Sequence, residues 1–88
     1  MAVFWLQTVI KHDDGFVRFA VDAPYETVKE FANALSEGEI VACDKIWTVR
    51  DDAGRKIITG REEMAIGADY VGMIQKPHDQ PIREVTNV

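Results

Sequence analysis

Asp22 to Gly38 reads DAPYETVKEFANALSEG, and it is the one stretch of this 88-residue chain with a helical apolar period. Tyr25, Val28, Ala32 and Leu35 recur at three- and four-residue spacing with Phe31 beside them, which makes a single apolar stripe along a helix. Glu26, Lys29, Glu30 and Asn33 take the wet side. Aspartate at 22 suits a helix cap and Pro24 suits a first turn, where its missing N–H is not needed. Gly38 is placed to end the helix in the left-handed conformation.

Upstream of this helix the chain reads as a hairpin. Val3 to Ile10 is dense in β-branched and aromatic residues, with Phe4, Leu6 and Ile10 on one face and Val3, Trp5 and Val9 on the other. A strand apolar on both faces is central and covered twice, or lies at a subunit interface. His12-Asp13-Asp14-Gly15 supplies the turn, and Phe16 to Val21 returns with Val17, Phe19 and Val21 opposite Arg18.

Downstream, Glu39 to Arg50 and Arg55 to Arg61 are two extended stretches around Asp51-Asp52-Ala53-Gly54. A three-residue loop with Gly54 left-handed sets the register. Val49 then faces Ile57, Trp47 faces Thr59 and Lys45 faces Arg61 on the side expected to meet the helix, while Arg50 faces Lys56 and Thr48 faces Ile58 on the other. Met64 to Gln75 reads as a short strand, a turn at Gly67-Ala68-Asp69 and a last strand from Tyr70.

The expected fold is therefore α+β: a single antiparallel β-sheet of about five strands, in the sequence order ββαβββ, with one helix packed on one face. Residues 1–75 form the domain, and residues 76–88, with Pro77 and Pro81, form a C-terminal arm or tail. A chain this short buries only about 60–65% of its unfolded surface, so a deep catalytic cavity is costly to build.

Composition narrows the function classes. Ten basic residues stand against fifteen acidic ones, a formal charge of −5, where a general nucleic-acid coat protein carries a basic excess. Cys43 is the sole cysteine, so no internal disulfide forms and nothing points to an oxidising compartment. The apolar run Ala2 to Ile10 is too short to span a bilayer and lacks the features of a signal peptide, so a cytoplasmic protein without membrane contact is expected.

No catalytic set is legible. Cys43 has only His12 in a turn and His78 in the tail as candidate bases, and nothing in the spacing joins them. His12-Asp13-Asp14 and His78-Asp79 lack the spacing of a metal site, and Glu62-Glu63 has no second carboxylate placed across a cleft. Gly60 and Gly67 lack the strand–turn–helix setting of a phosphate loop. The expectation is no enzyme, no cofactor and no metal.

Two surfaces stand out instead. The hairpin from Lys45 to Arg61 holds Lys45, Arg50, Arg55, Lys56 and Arg61 against Asp51 and Asp52, a local +3 in a chain whose other residues sum to −8. In the expected register Lys45/Arg61 and Arg50/Lys56 are like-charged pairs across the ladder, which costs stability unless an anion joins them. That anion is a partner's carboxylates or a phosphate backbone, or else acids of the same fold such as Glu62, Glu63 or the helix face. The second surface is Val3, Trp5 and Val9, which one helix on the opposite face cannot cover; either a second copy meets them or the tail folds over them.

These features point to a small non-enzymatic protein-binding domain, an accessory or adaptor, acting through a sheet face or edge and self-associating. Lys45, Trp47, Arg50, Arg55, Lys56 and Arg61 are the candidate partner contacts, and Val3, Trp5 and Val9 the candidate dimer contacts. The alternatives are a nucleic-acid-binding module using the 45–61 hairpin with Trp47 as a stacking platform, or an acidic inhibitor that occupies a partner's nucleic-acid-binding groove.

Overall fold

The computed structural model describes residues 2–38 and 40–85. The first hairpin pairs β1 (Ala2–His12) with β2 (Gly15–Ala23), and the second pairs β3 (Val41–Arg50) with β4 (Lys56–Ile66). Between them lies α1 (Val28–Ser36). One 3-10 turn, Ala68–Tyr70, leads into β5 (Val71–Gln75), and the chain ends its described course in the two-residue β6 (Arg83–Glu84).

Among the described residues these strands make one six-stranded sheet in the order β5-β1-β2-β3-β4-β6. The expectation of a purely antiparallel sheet of about five strands is corrected here: the sheet is mixed, because β6 runs parallel to β4. The chain after β5 arrives at the Lys56 end of β4 first, where the Ile82 N–H donates to the Lys56 carbonyl at 3.0 Å. It leaves with the Val85 N–H on the Ile58 carbonyl at 2.9 Å. A chain entering at the start of β4 and following it downstream can only pair parallel. The segment from Lys76 to Val85 thus runs as a strap from the β5 edge of the sheet to the β4 edge.

The helix is shorter at its start than its sequence suggests. Asp22 and Ala23 still belong to β2, where Val21 and Ala23 are fully buried, and Thr27 is the cap. Its hydroxyl accepts from the Glu30 N–H at 3.1 Å, satisfying one orphan donor of the first turn, while the Glu30 carboxylate reaches back past the cap to accept from the Glu26 N–H at 3.3 Å. Gly38 has φ +79 just past the end, as its position implies. Phe31 and Leu35 are buried, Tyr25, Val28 and Ala34 pack at the flanks, and Ala32 is exposed.

Phe31 meets Phe4 edge-on at 5.2 Å and stacks with Tyr25 at 5.3 Å, which centres the main core between α1 and the sheet. Ala2, Phe4, Leu6, Val21, Ala23, Val41, Cys43 and Ile66 complete it. A nine-residue helix is about 14 Å long, while an eleven-residue strand reaches about 36 Å. Helix α1 therefore covers only one end of the two hairpins. At the other end Ile10, expected with Phe4 and Leu6, is exposed, and Thr8 takes the buried place before a register shift between Gln7 and Lys11.

A second, smaller core forms on the face away from the helix from Val3, Ala20, Ile46 and Ile58, with Trp5 against it. The sheet curls around this side, so that Trp5 of β1 comes within 5.9 Å of the Lys56 ammonium of β4. The strap is fastened here: both backbone groups of Val3 bond the Gln80 amide, at 2.8 and 3.0 Å. Val3, whose neighbour strand β5 has ended by that row, would otherwise leave a donor and an acceptor unpaired.

Candidate functional site between the two hairpins

The second hairpin turns as its sequence predicts, with Gly54 at φ +79 and Arg50 opposite Lys56, Val49 opposite Ile57 and Thr48 opposite Ile58. Beyond that point a bulge intervenes between Trp47 and Thr48. Thr59 becomes the extra residue, so Trp47 faces Gly60, Ile46 faces Arg61 and Lys45 faces Glu62, which corrects the expected pairs Trp47/Thr59 and Lys45/Arg61. A one-residue shift moves a side chain to the other face of a sheet. The shift carries Arg61 away from Lys45 and into a group of acids.

Arg61 donates to Asp44 at 2.7 Å, to Asp22 at 3.0 Å and to Glu84 of β6 at 2.7 Å. Glu84 and then Asp44 are the chief causes that push the Arg61 guanidinium further toward its charged form. Arg50 and Lys56, expected to repel one another, share Asp79 of the strap at 2.8 and 3.1 Å. Arg50 first, and Lys56 after it, lower the Asp79 carboxyl to about 2. Arg55 pairs with Asp51 at 3.3 Å within the turn, where the Arg55 N–H is the main reason that the Asp51 carboxyl is lowered. Four of the five hairpin cations are thus answered inside the fold, by Asp22, Asp44, Asp51, Asp79 and Glu84, and not by Glu62, Glu63 or the helix face.

Lys45 is the remaining one. Its ammonium lies 5.2 Å from the Phe19 ring and 5.3 Å from the Trp47 ring, and among the described residues no carboxylate pairs with it. Arg18 of β2 is its counterpart. The Arg18 guanidinium stands 5.4 Å from the Trp5 ring and holds the Gln75 side chain at 3.3 Å, also without a carboxylate. Cations over aromatic faces gain modestly from the ring quadrupole and keep their charge free for a further anion.

The two cations flank a gap in the sheet. The β2–β3 ladder comprises only Ala20↔Ile46, Val21↔Lys45 and Asp22↔Asp44, although β2 extends back to Gly15 and β3 runs on to Arg50. Past Ala20 and Ile46 the two hairpins separate and leave an open cleft of about 390 Å³ lined by Trp5, Val17, Arg18, Phe19, Lys45 and Trp47 among others. Lys45, Phe19 and Trp47 stand on its helix side, Arg18 and Trp5 on its strap side. Trp47 is 46% exposed and Val49 beside it 51% exposed. Sequence reasoning found Lys45 and Trp47, assigned Trp5 to a dimer contact instead of this cleft, and missed Arg18 and Phe19, for which the signal was slight: Arg18 is the lone charge among the apolar residues Phe16 to Val21.

The remaining candidates lie elsewhere. Val3 is buried, Trp5 is half-buried and Val9 is 52% exposed. Cys43 sits in the main core, His12 at the tip of the first hairpin and His78 on the strap. Burial first, then the charges of Asp44 and Asp22, push the Cys43 thiol up to about 11, far from a nucleophile's range. A larger open groove of about 520 Å³ runs past Asp22, Asp44 and Glu63, but two of these acids already hold Arg61. No helix among the described residues is long and apolar enough to cross a membrane. Comparison with protein-family models, with curated proteins and with solved structures returns no match, so the functional reading rests on the geometry alone.

Proposed function

We propose that this chain is a small protein-binding domain that grips an extended acidic segment of a partner in the cleft between its two hairpins. One observation carries the reading: Arg18 and Lys45, the two cations of the cleft, lie over Trp5, Phe19 and Trp47 with no carboxylate pairing to either among the described residues, where two strands run on without pairing to each other. Unpaired strand edges offer main-chain hydrogen bonds to an extended peptide, and the cations and rings select its side chains. The role is that of an accessory or adaptor, without chemistry of its own.

A phosphate backbone is the less favoured ligand. Arg61, which would have extended a phosphate track, is already held by three carboxylates, and a net charge of −5 repels a long polyanion. The test is a fluorescence titration of Trp5 and Trp47 with short Glu/Asp-rich peptides, repeated with single-stranded DNA and RNA. Saturable peptide binding that weakens roughly tenfold on Lys45→Ala or Arg18→Ala supports the reading. Binding of nucleic acid in place of peptide, lost on the same substitutions, transfers it to the nucleic-acid class.

A second reading, self-association, is supported by the far end of the first hairpin. Val9, Ile10 and Phe16 are each about half exposed there, and Met73 of the edge strand β5 is 43% exposed. Light scattering on wild type and Val9→Asp checks it: a dimer that Val9→Asp dissociates supports this contact, and a wild-type monomer at tens of micromolar removes it.

A further inference from the structure

The strap carries an internal analogue of the acidic ligand. Trp5 and Arg18 line the cleft, and they also line a neighbouring hollow of about 300 Å³ formed with Arg50, Lys56, Gln75 of β5 and strap residues Lys76 to Asp79. The strap is held to the first hairpin by Gln80 on Val3, with Arg18 on Gln75 at the end of β5 just before it, and to the second hairpin by Asp79 on Arg50 and Lys56. Arg18 thus borders both the cleft, with Lys45 on its far side, and the hollow, with Arg50 and Lys56, and Asp79 is the one carboxylate among the described residues that pairs with any of these four cations.

We propose that the partner-binding track runs on from the cleft onto Arg50 and Lys56, where Asp79 of the strap stands in for a partner carboxylate and is displaced when the partner binds. The inference rests on the cleft being the partner site. The physical case is that of an exchangeable contact. Asp79 is half exposed, its ion pairs are solvent-screened and individually weak, and one carboxylate replaces another at little cost. Lys56, by contrast, is largely enclosed at 12% side-chain exposure, with its ammonium near the Trp5 ring, so its charge is strongly felt by whichever acid sits there. The same displacement would uncover Trp5, adding an aromatic surface to the bound segment.

The partner class that follows is an extended segment with acidic residues at both ends of its contact, one for Lys45 and Arg18 and one for Arg50 and Lys56. The experiment compares wild type with Asp79→Asn in titrations with a Glu/Asp-rich peptide, with circular dichroism and urea melts confirming that the variant is folded. Removing the internal competitor should tighten peptide binding severalfold and steepen its salt dependence, because two further cations become available. In the wild type, peptide addition should speed amide exchange at Val3, Ile82 and Val85, whose N–H groups are held by the strap or hold it in place. Peptide binding with equal affinity in both proteins, or with unchanged exchange at these amides, overturns the displacement. Absence of peptide binding in both proteins overturns the cleft reading itself.

Discussion

Arg61 lies across the β3–β4 ladder from Ile46 and donates to Asp44 at 2.7 Å, while Asp44 itself stands directly opposite Asp22 on β2. Two carboxylates facing each other across a ladder repel, and Arg61 holds both together with Glu84. The guanidinium thereby joins β2, β3, β4 and β6 through one side chain.

Arg61→Ala should destabilise the fold by about 1–2 kcal/mol at neutral pH, since the lost bonds are charge-assisted but partly solvated. Part of that loss depends on pH with a definite sign. Arg61 holds the Glu84 carboxyl below its ordinary value, so the stabilisation is present above the unfolded value of about 4.3 and fades as pH falls through the lower folded one. Urea midpoints of wild type and variant should converge as pH falls below about 4.3. A difference independent of pH would mean that Arg61 acts through packing.

Leu35→Ala should cost about 2–5 kcal/mol, because Leu35 and Phe31 are the two buried residues of the one helix that covers the sheet. That is a large share of the stability of a domain this size. A urea melt showing a loss below about 0.5 kcal/mol would place the packing elsewhere.

Gly60 lies beneath the Trp47 side chain, and a Cβ there would meet Trp47 Cε3 at 3.2 Å. The ring is half exposed and free to give way, so Gly60→Val should leave the fold intact with a change under about 1 kcal/mol. The ring should lift away from the strand. In a Trp5→Phe background the Trp47 emission should shift to the red on Gly60→Val and less on Gly60→Ala. An unchanged spectrum in both would show that the ring does not rest on Gly60.

Cys43 should resist thiol reagents in the folded protein at neutral and mildly alkaline pH, with labelling appearing on unfolding in urea. Its thiol is buried and held up to about 11, so the reactive thiolate is scarce. Rapid stoichiometric labelling of the native protein at neutral pH would contradict both the burial and the charge placement.

Local chemistry made several elements legible in the sequence. The apolar stripe through Phe31 and Leu35, the left-handed glycines at 38 and 54, and the alternation that sends Phe4 and Leu6 to the helix side all depend on neighbours within a few residues. So do the order of the first five strands around the helix and the register next to the second turn. Even here the helix start was misplaced, because Asp22 and Thr27 are both good caps and only burial of Val21 and Ala23 in the sheet decides between them.

The candidate site belongs to the tertiary structure. Five cations crowded into seventeen residues look like a binding face when their partners are invisible, and those partners include Asp22, Asp79 and Glu84, up to 39 positions away. One bulged residue, Thr59, decides which face Arg61 occupies, and a hydrophobic pattern does not encode a shift of one when both faces are partly apolar. The parting of β2 from β3 beyond Ala20 and Ile46 likewise follows from how far a short helix and a crossing strap can hold two long hairpins together. Those are matters of length and placement in space, so the charge left free at Lys45 and Arg18 emerged only once the chain was folded.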